Sequence, residues 1–183
     1  PRLIVRIAPA VAKAAMESGV ATRPITDWEA YNEKLTQFVY KTNLFMKPIF
    51  SQAKANKQRI VLAEGEESKV LHATQEIVSM GLAYPILVGR PAVIEERIKK
   101  LGLHLEVGKD FEIVNNEQDE RYKEFWQHYY QLMKRKGITE AIAKRVVISN
   151  STVIAALLVD LGYADGLVCG LFGSYSRHLD AIK

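Results

Sequence analysis

From residue 59 onward, short apolar segments alternate with longer segments of helical periodicity, and this alternation limits the possible folds most strongly. The segments that predict strands are 59–63, 85–88, 111–114 and 167–169, and those that predict helices are 67–80, 91–101, 120–136, 139–147 and 153–161. Strands that alternate with helices pair in parallel, because each helix returns the chain to the starting edge of the sheet. The sequence therefore predicts an α/β protein with a parallel sheet.

The segment 164–178 has the pattern of a ligand-binding loop. It passes from a predicted buried strand to Gly170 and Gly173, which permit tight backbone curvature, and then to a helix that Ser174 or Ser176 caps. A helix N-terminus after a glycine turn attracts anions, because its backbone N–H groups are unpaired and the helix dipole is positive there. We predict an anion site at this loop.

Two further helices are predicted before the strand–helix alternation begins. The first has Pro9 in its first turn and ends at Gly19. The second is capped by Asp27 and is expected to kink or end at Pro48. Its apolar residues recur at helical spacing and either form a surface for a partner or pack on their own domain; they are Trp28, Tyr31, Leu35, Phe38, Val39 and Leu44.

The composition is that of an ordinary globular domain. Of 183 residues, 48% are hydrophobic and 25% are charged, and the formal net charge of +4 is too small and too scattered to indicate a nucleic-acid partner. Since no apolar run approaches the ~20 residues that a membrane span needs, we expect a cytoplasmic protein with no membrane partner. The lone Cys169 excludes an internal disulfide and is expected to be a small core residue.

The densest basic run has two interpretations. Lys134, Arg135 and Lys136 precede Gly137, which is typical of a helix C-terminus, where cations face the carbonyl end and glycine adopts the left-handed conformation. The same cations are also candidates for a phosphate-binding patch.

The usual catalytic signatures are missing, since the sequence has no GxGxxG, no Walker loop and no HExxH. The four histidines are too isolated in sequence to predict a metal centre, and surface or helix-face positions are expected for them; they are His72, His104, His128 and His178. Acids at 64–67 lie where a strand gives way to a helix, an edge that binds ligands in open sheets. A helix dipole explains the same acids, and we favour that interpretation.

The chain begins at Pro1 without an initiator methionine and stops at Lys183, shortly after a predicted helix start, so we expect a fragment of a longer protein.

The sequence resembles two known families, in two successive parts. Residues 1–25 are similar to the last helix of the catalytic domain in large bacterial malic enzymes. From about residue 55 the chain resembles phosphate acetyltransferase, in four segments that match in order and spacing: 59–67, 81–89, 132–139 and 161–170. The resemblance implies a malic-domain tail at 1–25, linker helices at 26–56, and the first part of an acetyltransferase-like domain at 57–183. That domain would have three α/β/α layers around a mostly parallel sheet, as in phosphate acetyltransferase and isocitrate dehydrogenase, and would be truncated here.

This order of parts is that of the multidomain NADP-dependent malic enzymes, and it implies what the whole protein does. In that family the first domain converts malate to pyruvate and carbon dioxide with NADP and a divalent metal, Mg or Mn, and the second domain senses acetyl-CoA. The residues for malate, NADP and metal would precede Pro1. The resemblance thus implies a regulatory region that forms homo-oligomers, responds to acetyl-CoA or a related effector, and is not itself catalytic.

Two positions depart from the acetyltransferase pattern. Family members carry an arginine where this chain has Asp180, and another where it has Met133. An acid repels phosphate where the family's guanidinium attracts it, so catalysis of the family type is not expected. The candidate ligand-binding residues, for acetyl-CoA or phosphate, are Lys134, Arg135, Gly173, Ser174, Ser176 and Arg177. The alternatives are a working phosphate acetyltransferase, which forms acetyl phosphate from acetyl-CoA and phosphate, and a structural half-domain with no ligand.

Overall fold

The computed structural model describes residues 2–39 and 43–183. The chain divides into two compact units, residues 1–52 and 53–183. The first unit contains the helices α1 (Arg2–Glu17) and α2 (Trp28–Val39), and α3 (Asn43–Ala55) begins in it.

In the first unit, α1 packs on α2. Asp27 caps α2 as predicted, because its side-chain oxygen accepts a 2.9 Å hydrogen bond from the backbone N–H of Ala30. Pro9 was predicted in the first turn of its helix, which was wrong: it lies inside α1, because residues 2–8 also form helix. Pro48 does not end a helix, since it lies inside α3, and the alternative that it kinks the helix stays a prediction. Three residues of the predicted apolar set, Phe38, Val39 and Leu44, are not among those whose side chains the structure describes.

The second unit is built on four strands, β1 (Gln58–Leu62), β2 (Ala83–Val88), β3 (Glu112–Val114) and β4 (Gly166–Val168). Its helices are α4 (Ser68–Met80), α5 (Pro91–Leu101), α6 (Tyr122–Met133), α7 (Glu140–Ser149), α8 (Ser151–Asp160) and α9 (Tyr175–Ile182). The strand order is β3-β2-β1-β4, and each neighbouring pair is parallel. The prediction of an α/β fold with a parallel sheet is confirmed.

Side chains from the two faces of the sheet enter two separate cores. Val61 and Ala63 lie in one core and Leu62 in the other, because successive strand residues point to opposite faces. The first core adds residues of α6, α7 and α8, including Phe125, Val147, Ile154 and Leu158. The second adds residues of α4 and α5, including Leu71, Ile94 and Ile98. The sheet is therefore the middle layer of three.

Local sequence signals set most helix ends in this unit. Gly81 and Gly102 end α4 and α5 in the left-handed conformation, with φ of 66° and 63°. Thr139 caps α7 and Asn150 caps α8, each through its side-chain oxygen.

Two burial expectations were wrong. The apolar residues of 120–136 cover more than one face of a helix, which predicts a largely buried helix. In α6, Phe125 is fully buried and the other aromatic residues are not, so this helix covers the core with one face. Strand β4 is also less buried than predicted, since the Val168 side chain is 57% exposed. Within residues 2–39 and 43–183, β4 pairs with β1 alone and is an edge strand.

No individual helix in the described residues has the length and apolar character of a membrane span. The pair α7 and α8 reaches that length only across a bend of 103°.

Candidate ligand crevice at the sheet edge

The strand order places a crevice between the carboxyl ends of β1 and β4. After β1 the chain crosses to β2 and β3 on one side, whereas β4 lies on the other side of β1. The loops that follow β1 and β4 therefore run in opposite directions and separate. In open α/β sheets this switch point is the usual place for a ligand.

A carboxylate joins the two loops at the base of the crevice. Glu64 follows β1, and its Oε1 accepts a 2.8 Å hydrogen bond from the backbone N–H of Gly170, which follows β4. The strands are paired up to this point, since the N–H of Ala63 donates to the carbonyl of Val168 at 3.0 Å. Glu64 thus extends the connection between β1 and β4 by a side chain.

The ring of His178, in the first half of α9, fixes the loop from the other side. Its Nε2 lies 2.5 Å from the carbonyl oxygen of Phe172, and its Nδ1 lies 2.9 Å from the hydroxyl of Thr152, on α8. A carbonyl oxygen only accepts hydrogen bonds, so Nε2 carries the proton; in the neutral ring Nδ1 then accepts from the hydroxyl of Thr152. Thr152 is 3% exposed, and His178 is a partner for its buried hydroxyl.

Gly173 is required where the loop passes the imidazole. Its φ is +95°, a conformation that favours glycine, and a Cβ at this position would lie 3.2 Å from Nε2 of His178. Ser174 follows and caps α9, because its Oγ accepts from the backbone N–H of Arg177 at 3.4 Å. Of the two predicted caps, Ser174 has this role and Ser176 lies inside the helix.

These loops enclose a cavity of about 170 Å³. It is lined by the junction of α7 and α8 on one side and by the β4–α9 loop and the start of α9 on the other. The lining residues are Glu64, Ser149, Asn150, Ser151, Thr152, Phe172, Arg177 and His178.

The predicted site residues separate into two groups. Gly173, Ser174 and Arg177 lie at the crevice, and the exposed Ser176 lies in the first turn of α9 beside them. Lys134 and Arg135 lie in a short 3₁₀ turn, Lys134–Lys136, that follows α6 and ends at Gly137 with φ of 85°. That turn has the helix C-terminal geometry that the sequence predicted. The six residues stay a prediction as a ligand set.

The two positions that depart from the acetyltransferase pattern meet in a second cavity. Met133, from α6, and Asp180, from α9, both line a groove of about 500 Å³. Lys136 contributes a cation to this groove and Asp160 a second acid. Asp160 is also held by α6, since its Oδ2 lies 2.6 Å from Nε2 of His128.

The acids at 64–67 precede α4, which begins at Ser68. Glu67 is the N-cap residue of that helix, so the helix-dipole interpretation stays a prediction for it, whereas Glu64 and Glu66 lie farther from the helix and have other partners. Glu66 instead forms a two-point ion pair with Arg90, in which Nε and Nη2 each lie 2.8 Å from a carboxylate oxygen. The hydrogen bonds from Arg90 hold the pKa of Glu66 below its ordinary value, against the opposite effect of burial. This pair connects the loops after β1 and β2.

Cys169 is partly buried at the end of β4. Burial, and then the negative charge of Glu64, raise the pKa of its thiol. A raised pKa keeps the thiol protonated at neutral pH, which disfavours a role as nucleophile.

Thr152 and His178 were not predicted as site residues. Thr152 carried one usable signal, since it is a polar residue at the start of an otherwise apolar helix. The pairing with His178 depends on the fold, because it brings α8 and α9 together across the loop.

The parallel sheet and the crevice at its switch point define an open α/β protein of the ligand-binding type. The chain belongs to the phosphate acetyl/butaryl transferase family, whose profile matches residues 44–183. The match includes all four strands and the whole β4–α9 loop.

Curated relatives extend the resemblance to the remainder of the chain. It is 75% identical over 183 residues to the NADP-dependent malic enzyme of Haemophilus influenzae, and 64% identical over 183 residues to that of Escherichia coli. Both matches cover 100% of this chain and 24% of the relative, so the chain spans about a quarter of the length of these proteins.

A solved structure agrees with the fold. The chain matches the EutD phosphotransacetylase of Staphylococcus aureus with a TM-score of 0.63 and 27% sequence identity. The match covers 75% of this chain and 42% of that structure. The resemblance to malic enzyme and to phosphate acetyltransferase, predicted from the sequence, is confirmed.

Proposed function

We propose that this chain is the ligand-sensing region of an NADP-dependent malic enzyme, and that it binds acetyl-CoA without turning it over. One observation supports the proposal most directly: Met133 and Asp180 line the same groove. The two arginines that the acetyltransferase pattern would place there are therefore replaced in one site. Each charge-assisted hydrogen bond to a guanidinium contributes ~1.5 to 3 kcal/mol, so their joint loss removes much of the stabilisation of the phosphate and coenzyme between which the acetyl group would be transferred.

The groove retains features that suit a coenzyme ester. Its volume of about 500 Å³ is within the range of small-molecule sites, and its walls are largely aliphatic, with Lys136 as a cation for a phosphate group. The six candidate residues, from Lys134 to Arg177, would then hold the coenzyme phosphates around this groove and the neighbouring loop.

In the whole protein, the proposed activity is conversion of malate to pyruvate and carbon dioxide in the cytoplasm. NADP and Mg or Mn would supply hydride acceptance and charge stabilisation, and none of this chain's residues is assigned to hold them. Binding of acetyl-CoA here would alter that activity through a homo-oligomer, so the effector and the substrates must change each other's affinities by the same factor.

Calorimetric titration of the intact protein with acetyl-CoA tests this coupling. The acetyl-CoA affinity is expected to change when malate and NADP are present at saturating concentration. Identical affinities in both conditions would contradict the proposal.

A charge reversal in the groove tests where acetyl-CoA binds. We expect Asp180→Arg to strengthen acetyl-CoA binding by roughly 10- to 100-fold, because a phosphate-repelling acid becomes a phosphate-binding cation. Glu95→Arg, on the exposed face of α5, makes the same change in charge outside the groove and is expected to leave the affinity as it is. Equal effects of the two variants would show that the groove is not the site.

A working phosphate acetyltransferase is the second candidate function, because the chain belongs to that family. An assay for CoA thiol release from acetyl-CoA and phosphate separates the two functions. Sustained turnover by the intact protein would favour the transferase and show that Met133 and Asp180 are tolerated in a catalytic site.

A further inference from the structure

The crevice between β1 and β4 brings two opposite charges to one small cavity without pairing them. Glu64 and Arg177 both line it, and among the described residues no ion pair joins them. A carboxylate and a guanidinium that line one cavity without an ion pair between them leave both charges available to a ligand.

Glu64 is held by the hydrogen bond from Gly170, which fixes one of its carboxylate oxygens toward the β4–α9 loop. Arg177 is exposed and lies in the first turn of α9. The Ser174 cap and the contacts of His178 set the position of that turn. The Glu64 carboxylate and the backbone of α9 are therefore in place before any ligand arrives, and the exposed Arg177 side chain extends from that fixed backbone. A preformed site loses less conformational freedom on binding than a flexible one.

The cavity wall opposite α9 is uncharged and polar. Ser149 and Ser151 contribute hydroxyl groups from the junction of α7 and α8. Asn150 is occupied as the cap of α8, since its Oδ1 accepts from the backbone N–H groups of Thr152 and Val153. The serine hydroxyls can donate to an anion or accept from a donor.

The size of the cavity limits its ligand. Its volume of about 170 Å³ is below the roughly 300 to 1,000 Å³ of sites that take drug-sized molecules, so a coenzyme does not fit inside it. A compact acid of a few carbon atoms is of the right order. Inorganic phosphate is small enough, but its charge lies on one centre, so a phosphate bound to Arg177 brings negative oxygens to the Glu64 carboxylate, and like charges repel. An acid whose charged groups are separated by carbon atoms can present its hydroxyl to Glu64 and keep its carboxylates away from it.

We propose that this crevice binds a small carboxylic acid that also carries a hydrogen-bond donor, such as a short hydroxy acid. The ligand carboxylate pairs with Arg177, and the ligand hydroxyl donates to Glu64. This site is separate from the groove lined by Met133 and Asp180, and it would give the protein a second ligand in addition to acetyl-CoA.

Calorimetric titration of the intact protein with L-malate is the first test. Because the whole protein is expected to bind malate elsewhere as well, the measured quantity is the number of malate sites per chain. The wild type is expected to show one more site than Arg177→Gln. Lys99→Gln, which removes an exposed cation at the end of α5, is the matched control and is expected to keep the wild-type number.

Glu64→Gln is the second variant, and we expect it to fold like the wild type, so a loss of malate binding in it is not caused by misfolding. Glutamine keeps the shape of the side chain and an oxygen for the N–H of Gly170, but its NH₂ group cannot accept from a ligand hydroxyl. We expect malate binding at the crevice to weaken roughly 10- to 100-fold in this variant. The same number of sites and the same affinities in the wild type, Arg177→Gln and Glu64→Gln would overturn the proposal.

Two further probes test the ligand chemistry. Succinate has the two carboxylates of malate without the hydroxyl, and it is expected to bind the crevice at least tenfold more weakly. Phosphate is expected not to compete with malate there. Equal binding of succinate and malate, or displacement of malate by phosphate at equal concentration, would overturn the assignment. Arg177 is also a candidate for a coenzyme phosphate, so its variant alone does not separate the two proposals. Asp180→Arg changes the groove and Glu64→Gln changes the crevice, so the acetyl-CoA titration of the first variant and the malate titration of the second recognise failure of either proposal separately.

Discussion

The carboxylate of Glu64 accepts a 2.8 Å hydrogen bond from the backbone N–H of Gly170, and this contact extends the pairing of β1 and β4 beyond the last strand residues. It joins residues 106 positions apart in the chain. A hydrogen bond to a charged acceptor is stronger than one between neutral groups, so we expect it to slow opening of the β4–α9 loop.

Replacing Glu64 by alanine tests that contact. We expect hydrogen exchange at the amide of Gly170 to accelerate roughly 5- to 15-fold in Glu64→Ala, because an opening free energy of about 1 to 1.5 kcal/mol is lost. Glu64→Gln retains an acceptor and is expected to lie between the alanine variant and the wild type. Exchange at the wild-type rate in Glu64→Ala would show that the loop is held by other contacts.

A double-mutant cycle measures the contact between Thr152 and His178. We expect His178→Ala to lower the free energy of unfolding by about 1 to 3 kcal/mol, since it leaves a buried hydroxyl without its partner. In the background of Thr152→Val the same change is expected to cost about 1 kcal/mol less, because the hydroxyl is already absent. Urea unfolding of the four proteins provides the values.

His72→Ala is the control for that cycle. His72 is exposed on α4, and its replacement is expected to change stability by less than about 0.5 kcal/mol. A coupling energy near zero between positions 152 and 178 would contradict the hydrogen bond.

Alanine at Gly173 is expected to destabilise the protein more than alanine at Gly137. Both glycines have positive φ, 95° and 85°, so the backbone strain is similar in the two variants. A Cβ at 137 meets no heavy atom within 4 Å, whereas one at 173 lies 3.2 Å from the His178 ring. Thermal and urea unfolding should therefore show an additional loss of about 1 kcal/mol for Gly173→Ala.

The His178 ring causes the additional loss of stability in Gly173→Ala. When His178→Ala is combined with Gly173→Ala, the additional loss is therefore expected to disappear. If Gly173→Ala and Gly137→Ala are equally destabilising, the close approach of the loop to the imidazole is not tight enough to matter.

The Glu66–Arg90 ion pair predicts a pH dependence. Arg90 lowers the pKa of Glu66 in the folded protein, so the unfolded chain binds a proton more readily than the folded one. The pair's stabilisation is therefore fully present above the ordinary carboxylate value near 4.5 and is lost as the pH falls through the lower folded pKa. Solvent around the largely exposed Arg90 reduces the size of the effect.

Urea unfolding of the wild type and Glu66→Gln between pH 7 and pH 3 measures this pH-dependent stabilisation. The stability difference between the two proteins is expected to shrink toward acid. Glu95→Gln, which removes an exposed carboxylate of α5 that takes no part in this ion pair, is the matched control. A constant difference for Glu66→Gln would mean that Arg90 does not shift its pKa.

The features that the sequence predicted depend on neighbouring residues. The apolar alternation located all four strands, and the helices predicted at 67–80 and 91–101 are α4 and α5. Each ends at a glycine, because the left-handed conformation at a helix end favours glycine. The helix predicted from residue 139 is α7, and Thr139 is its cap, since its hydroxyl accepts from the N–H of Ile142.

The features that were not predicted depend on which strands become neighbours. A short apolar run predicts a strand but does not show whether it lies at the edge of the sheet, so the exposure of Val168 was missed. The ring contact of His178 with Thr152 requires α8 and α9 to meet. The proximity of Met133 and Asp180 likewise requires α6 and α9 to face one groove.

The contact between Glu64 and Gly170 also determines when during synthesis the crevice can form. A growing chain has made β1, β2 and β3, with the helices between them, before it reaches the second partner of this hydrogen bond. Closing so long a loop is slow compared with forming the local helices. The crevice is therefore among the last parts of this unit to assemble. A chain stalled before residue 170 would contain most residues of both cores but could not form the crevice.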